Sequence, residues 1–143
     1  MVVPAAFVAD ASFALPWVFG DEHSPSSDEA WEAMKLGKAS VHVPALWLWE
    51  LTNTLVIGER RGRITLVQTA AFFRIVNQLP IRVAPTAMAS LFDEIPRSMR
   101  THALTAYDAA YLELAKRSRL PLATLDRELK EAARRDGVEL VGE

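Results

Sequence analysis

The chain has 143 residues, of which half are hydrophobic and 24% are charged, with a formal net charge of −2. This composition fits one globular domain over residues 1–143 with a continuous core, and it excludes a mainly disordered chain. The small net charge provides no strong field toward nucleic acid or membranes, and the absence of cysteine excludes disulfides, thiolate metal sites and thiol catalysis. Because no stretch reaches membrane-spanning length and the start lacks the features of a secretion signal, we expect a cytoplasmic protein without membrane contact.

Short apolar runs alternate with helical patterns along the chain, which is typical of βαβ units and a parallel sheet. In chain order, the predicted elements are a strand over 7–9, a short helix through Trp17, a helix over 26–37, a strand over 40–43, a helix over 44–61, a helix over 65–79, a strand over 81–83, helices over 86–94 and 97–103, a helix over 104–115, a strand over 120–124, a helix over 127–136 and an edge strand over 138–141. The pattern therefore predicts an α/β fold.

Capping residues and helix breakers set the expected bounds of these helices. Ser12 is expected to cap the first helix, and the segment 26–29 has capping-box spacing for the second. Pro44 is expected at the first position of the third helix, with Gly62 just past its end. Pro96 is expected to interrupt the helical region that follows the third strand.

Four carboxylates stand in apolar sequence at places where α/β folds build sites. They are Asp10 after the first strand, Glu50 on the apolar face of a helix, Asp108 at the start of an apolar helix and Asp126 after a late strand. Ligands of open parallel sheets bind beyond the carboxyl ends of the strands. Carboxylates that converge imply either raised pKa values or bound divalent cations, and an all-oxygen set suits Mg²⁺ or Mn²⁺ better than Zn²⁺.

Each carboxylate also has a purely structural interpretation when it is considered alone. Asp108 follows Thr105 at the spacing of a capping box, and Asp10 and Asp126 can each cap the helix that follows. Glu50 is harder to explain in this way, because it lies on an apolar helix face. The coincidence of all four favours a metal site over four separate caps.

Several other polar, aromatic and basic residues each have a possible functional role and a possible structural role. Asn53 can orient a carboxylate or serve as a core amide, while Ser12 and Thr124 can steady metal ligands, contact a phosphate or only cap. The aromatic side chains of Trp17, Trp31, Trp47 and Trp49 are expected to be core or dimer anchors rather than base-stacking platforms. Two arginine groups can grip a phosphate backbone or lie in solvent: Arg60, Arg61 and Arg63, and Arg97 with Arg100.

A resemblance to a known family rests on four segments, 8–12, 49–53, 104–115 and 122–126. In their order and spacing they resemble the PIN-domain nucleases of the VapC toxin type, and the Tyr-Asp-Ala-Ala-Tyr piece at 107–111 is the most telling. The resemblance implies a three-layer α/β/α sandwich around a short parallel sheet. It also implies an acidic site of Asp10, Glu50 and Asp108, with Asp126 as a more variable fourth member.

The same resemblance implies a Mg²⁺- or Mn²⁺-dependent endoribonuclease that forms a homodimer and is neutralised by a cognate antitoxin. We therefore expect metal-activated water to attack an RNA phosphodiester. One rival is a phosphatase with Asp10 as nucleophile, although Ser12 stands where a second aspartate usually acts as acid and base. The other rival is a catalytically inactive RNA-binding or interaction module whose carboxylates only cap helices.

Overall fold

Four parallel strands form the sheet at the centre of the molecule, in the order β3-β2-β1-β4. The structure is a computed structural model, and it describes residues 2–143. The strands are β1 (Ala6–Ala9), β2 (Ser40–Pro44), β3 (Ile81–Ala84) and β4 (Leu122–Ala123). The predicted parallel sheet is therefore confirmed.

Helices cover this sheet. They are α1 (Ala11–Ala14) with a 3₁₀ turn (Leu15–Trp17), α2 (Pro25–Lys35), α3 (Ala45–Arg60), α4 (Leu66–Val76), α5 (Met88–Phe92), α6 (Glu94–His102), α7 (Ala106–Ser118) and α8 (Arg127–Arg135). Phe7, Val8 and Ala9 of β1 are all fully buried. Because successive strand residues point to opposite faces, both faces of β1 are covered. The predicted α/β class, with helices flanking a short parallel sheet, is confirmed.

The register brings the carboxyl ends of β1 and β4 to one edge of the sheet. Val8 pairs with Leu122 and Ala9 with Ala123, and the backbone N–H of Asp10 donates to the carbonyl of Ala123 at 3.1 Å. The residues that follow these two strands therefore lie side by side. This edge is where ligands of open parallel sheets bind.

Several helix starts differ from the sequence prediction. Asp10, not Ser12, caps α1, because its carboxylate accepts from the N–H of Phe13. The second helix begins at Pro25, one residue before the predicted start, and Ser24 is its cap. Proline fits this first helical position because its missing N–H has no helical partner there. Pro44 ends β2 and caps α3 rather than lying inside that helix.

Two other regions are also corrected. Pro96 lies in the first turn of α6, where its missing N–H costs no hydrogen bond, and the interruption falls at Asp93 instead. The predicted edge strand over 138–141 is reduced to one parallel bridge between Leu140 and Leu122. Gly62 and Gly137 do end helices with φ of +72°, as predicted. No helix within residues 2–143 is both long and apolar enough to cross a membrane.

Candidate functional site

Asp10 is a buried carboxylate, only 4% exposed, at the carboxyl end of β1. Its Oδ1 accepts from the hydroxyl of Ser12 at 2.7 Å and from the N–H of Phe13 at 3.1 Å, while its Oδ2 accepts from the hydroxyl of Thr124. Burial raises the pKa of Asp10 from 3.8 to about 6, and these hydrogen bonds oppose that rise. The carboxylate is therefore held in one orientation by neutral donors.

Two hydroxyls join the loop after β1 to the loop after β4. Thr124 donates to Asp10 and accepts from the N–H of Asp126 at 3.0 Å. Ser12 donates to Asp10 and accepts from the N–H of Leu125 at 3.0 Å. Both hydroxyls thus donate to the same carboxylate; Ser12 accepts from the opposite loop, whereas Thr124 accepts within its own loop. Ser12 and Thr124 therefore both contact Asp10 directly, and a role in steadying a metal ligand stays a prediction.

Glu50 lies on α3 and is held by a residue from α7. The hydroxyl of Tyr111 donates to Glu50 Oε1 at 2.8 Å. Burial raises the pKa of Glu50, and the nearby Asp108 carboxylate raises it further. Burial and the Glu50 carboxylate together raise the pKa of Tyr111 well above its usual range, so the phenol stays protonated and remains a donor. The contact fixes one Glu50 oxygen toward α7.

Asp108 and Asp126 lie at the N-termini of α7 and α8. The N–H of Asp108 donates to Thr105 Oγ1 at 3.2 Å, and Thr105 caps α7. Asp126 caps α8 through its Oδ1, which accepts from the N–H of Leu129 at 2.8 Å. Burial and the Asp126 charge raise the pKa of Asp108. Asp126 therefore does cap α8, and its second carboxylate oxygen takes no part in this cap.

The four carboxylates form one electrostatic group, which we call the acidic edge: Asp10, Glu50, Asp108 and Asp126. Asp108 raises the pKa of both Asp10 and Glu50, and Asp126 raises that of Asp108. None of the ion pairs within residues 2–143 involves a member of this edge. Neighbouring negative charges without a cation raise each other's pKa and favour a divalent ion.

The donor chemistry of the acidic edge fits Mg²⁺ or Mn²⁺, since it offers carboxylate oxygens supported by hydroxyl and phenol donors. In the described chain, no three His, Cys, Asp or Glu side chains are already arranged to hold a metal ion. Glu50, Asp108 and Asp126 are only partly buried, so solvent reaches them. The residues match the ion in charge and ligand type without forming a closed cage.

The sequence matches the PIN domain family over residues 7–135, which is most of the chain. This chain belongs to the PIN domain family. No protein with a curated description matches it in sequence. The family membership agrees with the resemblance carried by the four sequence segments.

Solved structures share this PIN fold. PAE2754 from Pyrobaculum aerophilum is 24% identical with a TM-score of 0.66, and the match covers 90% of this chain and 84% of that one. VapC20 from Mycobacterium tuberculosis is 15% identical with a TM-score of 0.57, covering 88% and 94%. FitAcB from Neisseria gonorrhoeae is 19% identical with a TM-score of 0.55, covering 95% and 96%. At these identities the likeness establishes the fold alone.

Two residues of this PIN domain differ from the sequence expectation for the site. Asn53 is exposed and makes no hydrogen bond in the described chain, so it neither orients Glu50 nor serves as a core amide. Tyr111 was not assigned a role, although it lies three residues after Asp108 on the same face of the helix. A buried tyrosine hydroxyl needs a partner, but the local sequence shows neither the burial of Tyr111 nor that Glu50 is its partner.

Proposed function

We propose that this PIN domain is a divalent-metal-dependent endoribonuclease that spans residues 1–143 as one domain. The observation that carries the proposal is the acidic edge, where four carboxylates interact and form no ion pair within residues 2–143. PIN domains are nucleases and generally depend on divalent metal ions. An uncompensated cluster of carboxylates at the carboxyl edge of the sheet is suited to that chemistry.

Asp10, Glu50, Asp108 and Asp126 are the residues that would hold Mg²⁺ or Mn²⁺. When bound, such an ion lowers the pKa of a water and neutralises charge on the phosphate. The hydroxyls of Ser12 and Thr124 hold both oxygens of Asp10 in place, so this carboxylate is already oriented before a metal ion would bind. A carboxylate of the acidic edge would accept the proton from that water. Ser12 and Thr124 act by positioning, since their hydroxyls are already engaged.

The rival activities fit these contacts less well. A phosphatase with Asp10 as nucleophile needs a second acid for proton transfer, whereas Ser12 stands at that position and its hydroxyl donates to Asp10. An inactive module explains Asp10 and Asp126 as caps, but Glu50 caps no helix and is nevertheless held by Tyr111. The nuclease proposal accounts for all four carboxylates together.

The biological setting of the proposal is a toxin of a toxin-antitoxin pair. VapC20, which shares the fold, is described as a toxin that cleaves the sarcin-ricin loop. The VapC-type resemblance supports RNA as the substrate, a homodimer, a cognate antitoxin as the partner and the cytoplasm as the location.

Cleavage of RNA by the purified protein tests the proposal. We expect single-stranded RNA to be cut in the presence of Mn²⁺ or Mg²⁺ and not in the presence of EDTA. Asp108→Asn should nearly abolish cleavage while the far-ultraviolet circular dichroism is unchanged. Asp136→Asn is the matched control, because this aspartate is ion-paired outside the acidic edge, and it should cut like wild type. Cleavage that persists in EDTA, or full activity of Asp108→Asn, would contradict the proposal.

A further inference from the structure

Exposed nonpolar side chains directly precede three of the four acids of the acidic edge. Trp49 precedes Glu50 and is 76% exposed, Tyr107 precedes Asp108 and is 62% exposed, and Leu125 precedes Asp126 and is 39% exposed. Neighbouring residues on a helix point about 100° apart. The rings of Trp49 and Tyr107 therefore stand beside their acids, at the border of the site with solvent.

Trp49 differs from the other three tryptophans of the chain. Trp47 is fully buried. The rings of Trp17 and Trp31 pack against each other with their centroids 5.1 Å apart, and the indole N–H of Trp17 donates to the carbonyl of Ser27. Within residues 2–143, the Trp49 ring has neither a ring neighbour nor a hydrogen-bond partner. Packing inside this chain therefore gives no account of a tryptophan at this position.

The hydrogen bond from Tyr111 to Glu50 joins α7 to α3, the two helices that carry the exposed rings of Tyr107 and Trp49. Tyr107 lies one turn before Tyr111 on the same face of α7, and Trp49 lies directly before Glu50 on α3. The two aromatic rings are thus carried by the two helices that meet at this contact. They border the acidic edge from both helices.

We propose that Trp49 and Tyr107 stack on the unpaired bases of single-stranded RNA that flank the phosphate held at the acidic edge. This inference rests on the proposed function and adds two residues that position the RNA. Aromatic rings stack on any exposed base, whereas stacking between neighbouring base pairs in an A-form duplex covers the base faces. The site therefore selects unpaired RNA, and the two rings position the nucleotides on either side of the cut.

The neighbouring acids favour bases over a protein as the occupant of these rings. A phosphate held by metal ions at the acidic edge necessarily carries its adjoining nucleotides along the border where the rings stand. Both side chains also keep a polar group, the indole N–H or the phenol, exposed to solvent, as suits contact with bases. Other exposed side chains are purely nonpolar and lack an adjoining site acid, among them Leu48 and Val56 on α3, Leu66 and Val67 on α4, and Met88 and Phe92 on α5.

Binding of a 12-nucleotide single-stranded RNA of mixed sequence, measured in Ca²⁺, tests the proposal. Trp49→Ala should raise its Kd by about 5- to 100-fold, and Tyr107→Ala should act in the same direction. Trp49→Phe should retain most of the affinity. Phe92→Ala is the matched control, because Phe92 is equally exposed at 76% and adjoins no site acid, and its Kd should stay at the wild-type value.

Two further probes separate stacking from other contacts. The same RNA annealed to its complement, or carrying abasic sites, should bind wild type and Trp49→Ala equally, because neither offers a free base face. Single-stranded RNA should also quench the intrinsic fluorescence of wild type, and Trp49→Phe should lose most of this quenching. In Mn²⁺, Trp49→Ala should raise KM for cleavage more than it lowers kcat.

Three results would overturn the inference. Wild-type affinity of Trp49→Ala for single-stranded RNA would do so, as would an equal loss for abasic RNA. A change in oligomeric state with unchanged RNA binding would instead assign Trp49 to a protein contact. Failure of the proposed function is distinguishable, because it appears as absent Mn²⁺-dependent cleavage in wild type, whereas fluorescence quenching and Kd report stacking whether or not RNA is cut.

Discussion

Carboxylates occupy two regions of this molecule in opposite electrostatic settings. At the acidic edge, the acids accept hydrogen bonds from hydroxyls, a phenol and backbone N–H groups, and form no ion pair with another described residue. Between α6, α7 and α8 lies a paired cluster of Glu94, His102, Lys116 and Asp136. There Lys116 Nζ lies 3.0 Å from Glu94 Oε1 and 3.1 Å from Asp136 Oδ2, and His102 Nε2 lies 2.9 Å from Asp136 Oδ1.

A second contrast lies between two acids of equal burial. Asp10 and Glu113 are both 4% exposed, yet Glu113 is met by the guanidinium of Arg117 at 2.8 Å, and Asp10 has only neutral donors. The fold can therefore supply a cation to a buried acid, and it does so on α7 itself. The difference supports the proposed metal site, in which an external cation would balance the charges of the acidic edge.

The largest expected effect comes from removing the central charge of the acidic edge. Asp10→Asn keeps the shape and one acceptor oxygen but removes the negative charge. We expect metal-dependent RNA cleavage to fall on the order of 10³-fold, since metal-ion catalysis supplies several kcal/mol. Rates measured with saturating Mn²⁺ test this, and a loss smaller than tenfold would remove Asp10 from the catalytic group.

The second-largest effect is expected in how the free energy of unfolding changes with pH. The pKa of Asp10 is about 6 in the folded protein against an ordinary 3.8. Between about pH 4 and pH 6 the folded state holds a proton that the unfolded state has lost, so stability falls as the pH rises, and the loss is complete above pH 6. The metal-free protein should lose about 2 kcal/mol by pH 7 relative to pH 4 through this group. Urea denaturation of wild type and Asp10→Asn across this pH range tests the prediction, because only wild type should show the loss of stability that comes from ionisation of Asp10. Parallel pH curves for the two proteins would contradict the assignment.

Removal of one supporting hydroxyl should have an intermediate effect. Thr124→Val removes the donor to Asp10 and the acceptor for the N–H of Asp126 while keeping the side-chain shape. Loss of such a partner lowers metal affinity or activity by about 10- to 100-fold. Thr69→Val is the matched control, because the Thr69 hydroxyl is buried without a partner, and it should leave cleavage unchanged. Equal effects of the two variants would show that Thr124 acts through packing only.

The smallest effect is expected in the paired cluster. Lys116→Met removes the cation that joins Glu94 to Asp136. Because these groups are partly exposed, we expect a stability loss of about 1 kcal/mol or less in urea denaturation. Mn²⁺ affinity and RNA cleavage should be unchanged. A loss of cleavage in this variant would remove the distinction between the two regions.

The fold was predictable from the sequence because its signals are local. Apolar runs such as 40–43 and helix ends such as Gly62 and Gly137 depend on backbone preferences that short segments carry. The errors arose where two residues compete for one role. Asp10 and Ser12 can both cap α1, and only the hydrogen bond to Phe13 decides between them.

The sequence singles out the four acids of the candidate site and the hydroxyls of Ser12 and Thr124, but not the phenol of Tyr111. Asp10, Glu50, Asp108 and Asp126 stand out because a charge in apolar sequence is costly. The contact between Tyr111 and Glu50 joins residues 61 positions apart, and the exposure of Asn53 depends on how α3 is rotated against its neighbours. Such long-range packing leaves no mark in a single sequence.

Calorimetric titration of the protein with Mn²⁺ at pH 7.5 tests the central claim most directly. The acidic edge predicts saturable binding to wild type, loss of that binding in Asp10→Asn and wild-type binding in Asp136→Asn. Absence of Mn²⁺ binding to wild type, or equal binding by wild type and Asp10→Asn, would contradict the claim that this edge is a divalent-metal site.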